Sequence, residues 1–242
     1  MSAHLMRDQA AHTWAERAQA ELGASQRFRT LHIKLQSLDT HPEILRLVHQ
    51  AEEDEDRHAL LCAQMAIKLG HSTGFAQITE EVECITYSWA SRHCDYERAL
   101  LDVVLMCCIT ESMNASLLNT IYEHARQSEA GQLIHRILKD EVKHAQIGWA
   151  YLSQESQRRD CNFVAEYLIE MFDVAVKDEI FLPVIDEADE SSYDFGVMPN
   201  SLRLQQFQDT LTHVVCPGFE QFGIDTQPIN TWLRTRLSSC AL

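Results

Sequence analysis

At 242 residues, 45% of them hydrophobic, the chain is long enough to bury a substantial core, and with eight glycines and five prolines it has no low-complexity segment. A formal net charge of -16, from 20 basic against 36 acidic residues, argues against a nucleic-acid partner, because phosphate contacts need clustered Lys and Arg. A local basic patch around Arg158 and Arg159 would be an exception.

No apolar run of about twenty residues and no charged-then-apolar leader is read, so neither a membrane span nor a secretory signal is expected, and the expected compartment is cytoplasmic. The eight cysteines (62, 84, 94, 107, 108, 161, 216 and 240) are scattered and form no CxxC. They read as reduced packing thiols.

The first helix is expected over about Ala10 to Leu38. Trp14, Glu21, Phe28 and Leu35 recur every seven residues, with Ala24, Leu31 and Leu38 on the adjacent stripe, so Glu21 points inward. Glu16 falls on the opposite line with Gly23, Thr30 and Ser37, and reads as a solvated acid. Asp39 to Pro42 forms a turn, with Thr40 or His41 near the cap and Pro42 suited to a first helical position. The second helix then runs to about Leu69 and stops at Gly70. Its inward line is Ile44, Val48, Ala51, Glu55, His58, Cys62, Met65 and Leu69, in which only Glu55 and His58 are polar.

Residues 71 to about 94 lack a sustained period and read as a long crossover with a short helix around Thr79 to Trp89. The third helix gives Leu101, Val104, Cys108, Glu111, Ala115, Leu118 and Tyr122 as its inward line. After a turn near Gln127 to Gly131, the fourth gives Ile134, Ile137, Glu141, His144, Gly148 and Tyr151. A fifth helix is expected from about Asn162 to Phe181, a sixth from Ser201 to Val215 and a short one from Gln227 to Leu237. The acidic stretch Asp186 to Asp194 reads as a solvated loop.

One motif occurs twice: Asp54-Glu55-Asp56-Arg57-His58 and Asp140-Glu141-Val142-Lys143-His144. A Glu and a His three apart on a helix share a face about one turn apart. Each copy is matched by a lone inward glutamate on the preceding helix, Glu21 and Glu111. Glu21 and Glu55 lie 34 residues apart and Glu111 and Glu141 lie 30 apart, each pair centred near its turn, so in antiparallel hairpins all six side chains fall in one layer. Four carboxylates and two imidazoles on apolar faces would repel one another and be costly to bury unless cations sat between them. Two divalent ions balance four glutamates, and mixed carboxylate and imidazole ligation suits iron or manganese better than calcium or structural zinc.

One Glu from each of two helices plus Glu-x-x-His from each of two others is the pattern of the ferritin-like di-iron carboxylate proteins. The chain resembles them over roughly residues 10 to 155, and the D-E-x-R-H form of Asp54 to His58 resembles the oxygen-activating members. The resemblance implies an all-α ferritin-like four-helix bundle with a long crossover between the second and third helices. It implies one domain over 1–242, with the core at about 10–155 and C-terminal helices at about 160–242 packed on it. It also implies that Glu21, Glu55, His58, Glu111, Glu141 and His144 ligate two iron ions, with Glu55 and Glu141 candidates to bridge; manganese, or a mixed pair, fits the same donors.

Asp54 and Asp140 precede the motif glutamates and are expected to hold a second ring nitrogen of a ligand histidine, on the same or the opposite helix. Other histidines, such as His12, His32, His71 and His213, read as surface or packing residues.

The expected function is an oxidoreductase of the monooxygenase or oxidase type, using O2 on a small, largely apolar organic molecule, with an external electron donor. One end of the layer is bordered by the small residues Ala24, Ala51, Cys108 and Gly148, with Phe28, Val104 and Tyr151 further out, and is the expected substrate pocket. The other end meets Cys62, Ala115 and Ile137. On this reading, Gly148→Leu blocks turnover and leaves iron loading intact. The rivals are a ferroxidase or storage protein, a manganese catalase and a metal-free helical binding module. A rubrerythrin-type peroxidase would bring a CxxC pair, and a transfer-RNA hydroxylase is disfavoured by the charge. The oligomeric state is open, a homodimer among the options.

Overall fold

The structure is a computed structural model, and it describes residues 3–72, 87–180 and 190–240. The described residues are predominantly helical, with no strand among them, and form seven helices. These are α1 (Ala3–Gln36), α2 (Pro42–Leu69), α3, α4 (Glu129–Ser156), α5 (Leu168–Ile180), α6 (200–221) and α7 (Gln227–Cys240). Helix α3 is built from α-helical Asp95–Val103, π-helical Val104–Glu111 and α-helical Ser112–Ala125. Helix α6 likewise carries a π-helical stretch, Leu211–Val215, between Asn200–Thr210 and Cys216–Gln221.

The chain divides into two compact units. The first comprises 1–87, 118–140 and 189–199, and the second 88–117, 141–188 and 200–242.

In the first unit, α1 begins seven residues earlier than its periodicity indicated. Trp14, Phe28, Leu31 and Leu35 are fully buried, and Glu16 is exposed. The turn into α2 is built as its residues dictate. His41 caps the helix, its Nδ1 accepting the backbone N–H of Glu43 at 3.2 Å, and Pro42 occupies the first helical turn. Gly70 ends the helix at φ 106°, a left-handed conformation that glycine adopts without steric cost.

α1 and α2 are antiparallel, as their cross-links show. Ser25 Oγ donates to Asp56 at 2.6 Å and Arg29 pairs with Glu52 at 2.6 Å, while Arg7, near the start of α1, reaches the carbonyls of Lys68 and Leu69 at the end of α2.

Part of the acidic stretch differs from the solvated loop expected of it. Residues 186–189 lie outside the described residues, but Glu190–Phe195 is a 3-10 turn with Tyr193 buried and stacked on His124. The turn is held because Trp14 Nε1, buried inside α1, has no water to donate to and donates instead to the Phe195 carbonyl at 2.8 Å.

In the second unit, the 3-10 turn Ser88–Ser91 precedes α3, and the rest of the expected short helix, 79–86, lies outside the described residues. The fifth helix is divided into a 3-10 turn, Asn162–Glu166, and α5. Phe172, Phe207 and Trp232 from α5, α6 and α7 form an aromatic cluster, tied by Trp232 Nε1 donating to Asp173 at 3.0 Å. Arg158 and Arg159 do not form a free basic patch, because both pair with the buried carboxylate of Glu155, at 3.3 and 2.9 Å. Of the described helices, the stretch Asp95–Ala125 is the one long and apolar enough to cross a membrane by length and composition. Its most apolar window is 61% buried within the protein. Cys62, Cys94, Cys107, Cys108, Cys161 and Cys216 are free thiols.

Gly196 sits at φ 76°, and a Cβ there would meet Trp14 Cζ2 at 2.7 Å and Ala130 Cβ at 3.0 Å. Gly196→Ala combines backbone strain with overpacking and is expected to cost about 1–3 kcal/mol, read as a lowered midpoint in thermal or urea unfolding.

Candidate metal centre

Each unit carries one cluster of buried acids with a histidine. In the first, Glu21, Glu55 and His58 are 5%, 0% and 1% exposed, and in the second Glu111, Glu141 and His144 are 4%, 0% and 1% exposed. Within each triad, one donor atom per residue lies within 4.8 Å of the others. The local reason is the one read from the repeat. Glu55 and His58, and again Glu141 and His144, are a helical turn apart on the apolar stripe of α2 and of α4.

In the first triad, His58 Nδ1 is 3.4 Å from Glu55 Oε2 and 4.0 Å from Glu21 Oε2. In the second, His144 Nδ1 is 3.3 Å from Glu141 Oε2. Two atoms each about 2.1 Å from one ion lie about 3.0 Å apart at a right angle and about 4.2 Å apart across it, so these spacings suit atoms converging on a single cation. Two carboxylates and an imidazole also match a dication in charge and hardness. Each buried Glu/His cluster could hold a metal ion.

The first triad is framed from outside by groups of its own unit. His58 presents its second ring nitrogen, Nε2, to Asp140 Oδ2 at 3.4 Å, so the aspartate of one motif reaches the histidine of the other. Arg57, 49% exposed, places Nη2 2.7 Å from both Asp140 Oδ2 and Asp54 Oδ1, and Gln50 Nε2 also donates to Asp54, at 3.2 Å. Burial opposes the charge of the Arg57 guanidinium, but the two aspartates outweigh it and raise the pKa. Sequence reasoning did not single out Arg57. Its signal was the i,i+3 spacing from Asp54 within the repeat, where the second copy has Lys143.

The expected pocket residues are all buried: Ala24, Phe28 and Ala51 in the first unit, Val104, Cys108, Gly148 and Tyr151 in the second. Burial pushes the Cys108 thiol well above its ordinary pKa, so it is neutral. Gly148 lies where α4 presses on the π segment of α3. A Cβ there would meet Cys107 Cβ at 2.6 Å, and the backbone N and Sγ of Cys108 at 2.8 Å. Gly148→Leu therefore cannot act as a simple pocket block, since even a methyl group must push the two helices apart. A shallow cleft elsewhere in the second unit, lined by Ile169, Pro228, Thr231, Trp232, Thr235 and Arg236, includes none of these residues.

Two outcomes follow from the geometry. Gly148→Ala is expected to destabilise the protein by about 1–3 kcal/mol in unfolding experiments. In metal-free protein, Glu21→Gln and Glu111→Gln each remove a charge from beside a second buried carboxylate, and should raise the unfolding midpoint while weakening metal uptake measured by elemental analysis. A fall in midpoint for both would show that the carboxylates are stabilising without a cation.

No protein-family model matches this chain, and neither does any curated protein or solved structure.

Proposed function

We propose that the chain is a ferritin-like di-iron oxygenase or oxidase, in which each triad holds an iron ion and the iron activates O2 toward a small, largely apolar organic substrate. The observation that carries this reading is the duplicated donor set: two buried carboxylates and one buried histidine, twice, with no excess charge once each set holds a dication. The four-helix arrangement belongs to the same proposal, with α1 to α4 supplying Glu21, the Glu55 and His58 pair, Glu111, and the Glu141 and His144 pair.

When bound, such a metal pair supplies electrons to O2 and a Lewis-acidic place for it to react. The chain's own residues would set the conditions. Glu21, Glu55 and His58 would hold one ion and Glu111, Glu141 and His144 the other, all six being buried donors. Donation from His58 Nε2–H to Asp140 leaves Nδ1 as the lone-pair donor and makes it more basic. The Arg57 guanidinium, 2.7 Å from Asp140 Oδ2, would keep that carboxylate aimed at His58.

Ala24, Phe28 and Ala51 in the first unit, and Val104, Cys108, Gly148 and Tyr151 in the second, are buried and carry no charged group. They would exclude water from the reaction and favour an apolar substrate. An external reductant completes the turnover.

Anaerobic loading with ferrous iron should give two irons per chain, and exposure to O2 should convert both to ferric in Mössbauer spectra, with a transient optical species whose decay responds to substrate. His58→Ala and His144→Ala should each lose about one iron by elemental analysis. Failure to retain iron would favour a metal-free binding module, and continued growth of a ferric mineral would favour iron storage.

A further inference from the structure

The second unit also holds a connected row of aromatic and titratable groups that the metal reading leaves unused. Tyr167, buried just past the 3-10 turn Asn162–Glu166, has its hydroxyl 2.6 Å from Nε2 of the half-buried His93. His93 Nδ1 is 3.0 Å from Glu97 Oε2, and the same oxygen accepts the backbone N–H of Cys94 at 3.1 Å. The Cys94 N–H first, against the effect of burial, and His93 with it hold the Glu97 carboxyl below the usual range. Glu97 is thus an anion at neutral pH and can only accept. His93 Nδ1 therefore carries the proton, and Nε2 turns its lone pair to the phenol O–H.

Beyond Tyr167, the fully buried Trp89 stands edge-on at 5.7 Å between ring centroids, and its Nε1 donates to Asp102 Oδ1 at 3.0 Å. Asp102 precedes Glu111 by nine residues on the same helix.

An oxidised phenol is a very strong acid, so a tyrosine loses an electron easily only where a base is already hydrogen-bonded to take its proton. Tyr167 has such a base, and the imidazolium that would form has Glu97 to stabilise it. A neighbouring indole supplies the electron route. Binding alone would need neither the indole contact nor the relay of acceptors.

We infer that Tyr167 and His93 are a proton-coupled redox pair reached through Trp89. Resting on the oxygen-activating reading of the triads, their role is to drain an oxidising equivalent left at the metal centre when no substrate is bound. Trp89 gives up one electron to that centre and becomes an indole radical cation. Tyr167 then returns one electron to Trp89 while its phenolic proton moves to His93 Nε2, leaving a neutral tyrosyl radical and an imidazolium. An external one-electron reductant, a thiolate or an ascorbate-like enediol, reduces the tyrosyl radical, and His93 hands the proton back.

The test uses the full-length protein without metal and a ruthenium tris-bipyridine photo-oxidant with a sacrificial quencher, followed by transient absorption and EPR. The wild type should give a neutral tyrosyl radical that forms more slowly in deuterated water. Tyr167→Phe, which removes only a hydroxyl, should lose that signal and leave a tryptophanyl one, and His93→Gln should slow its formation. An unchanged tyrosyl signal in Tyr167→Phe overturns the pair. Iron-loaded protein exposed to O2 without substrate and freeze-quenched should show the same radical. If the photochemical signal is present and this one is absent while two irons are bound, the assigned role is overturned. Iron stoichiometry, measured on the same samples, judges the metal reading separately.

Discussion

Like charge gathered inside an apolar helical interior is the constraint on which this molecule turns. Glu21 and Glu55 are both buried beside His58, and Glu111 and Glu141 beside His144. A lone buried carboxylate costs several kcal/mol even after relaxation, and two side by side cost more. A dication in each triad would balance its two carboxylates. The buried residues of α1, α2, α3 and α4 are mostly apolar, and among them these six gather the acids and histidines of the two triads.

The frame around them is ordinary helical chemistry applied with care. His41 and Pro42 start α2 and Gly70 stops it, so that Glu55 and His58 fall on its buried stripe. Ser25 and Asp56, with Arg29 and Glu52, link α1 to α2 on the loop-proximal side of the triad. Outside, Arg57 divides its charge between Asp54 and Asp140, so the acid that reaches His58 has a cationic partner. Each layer of the arrangement, from cap to clamp, is short-range and involves few residues.

Much of this was legible in the sequence because its signals are periodic. Seven-residue spacing of Trp14, Glu21, Phe28 and Leu35 fixed an inward acid, and the repeated motif fixed two more with their histidines. What was illegible depends on departures from period. On α3, Ala115 and Tyr122 were expected on the inward line, but both are half-buried, and Ile121 is fully buried instead. No propensity distinguishes a π stretch from an α one, so the line was drawn with the wrong winding. Long-range effects were equally hidden. Nothing local says that Gly148 faces Cys107 and Cys108, that Glu155 captures Arg158 and Arg159, or that Trp14 fastens a turn 181 residues away.

The π stretch Val104–Glu111 ends on a glutamate that must face inward. Because that side chain's direction is set by how many residues the coil uses to reach it, losing one residue upstream would rewind the turn and swing Glu111 off its inward face. Chain length within this segment is consequently under tighter constraint than side-chain identity, and apolar substitutions among Val104, Leu105 and Ile109 should be tolerated where a single insertion or deletion is not.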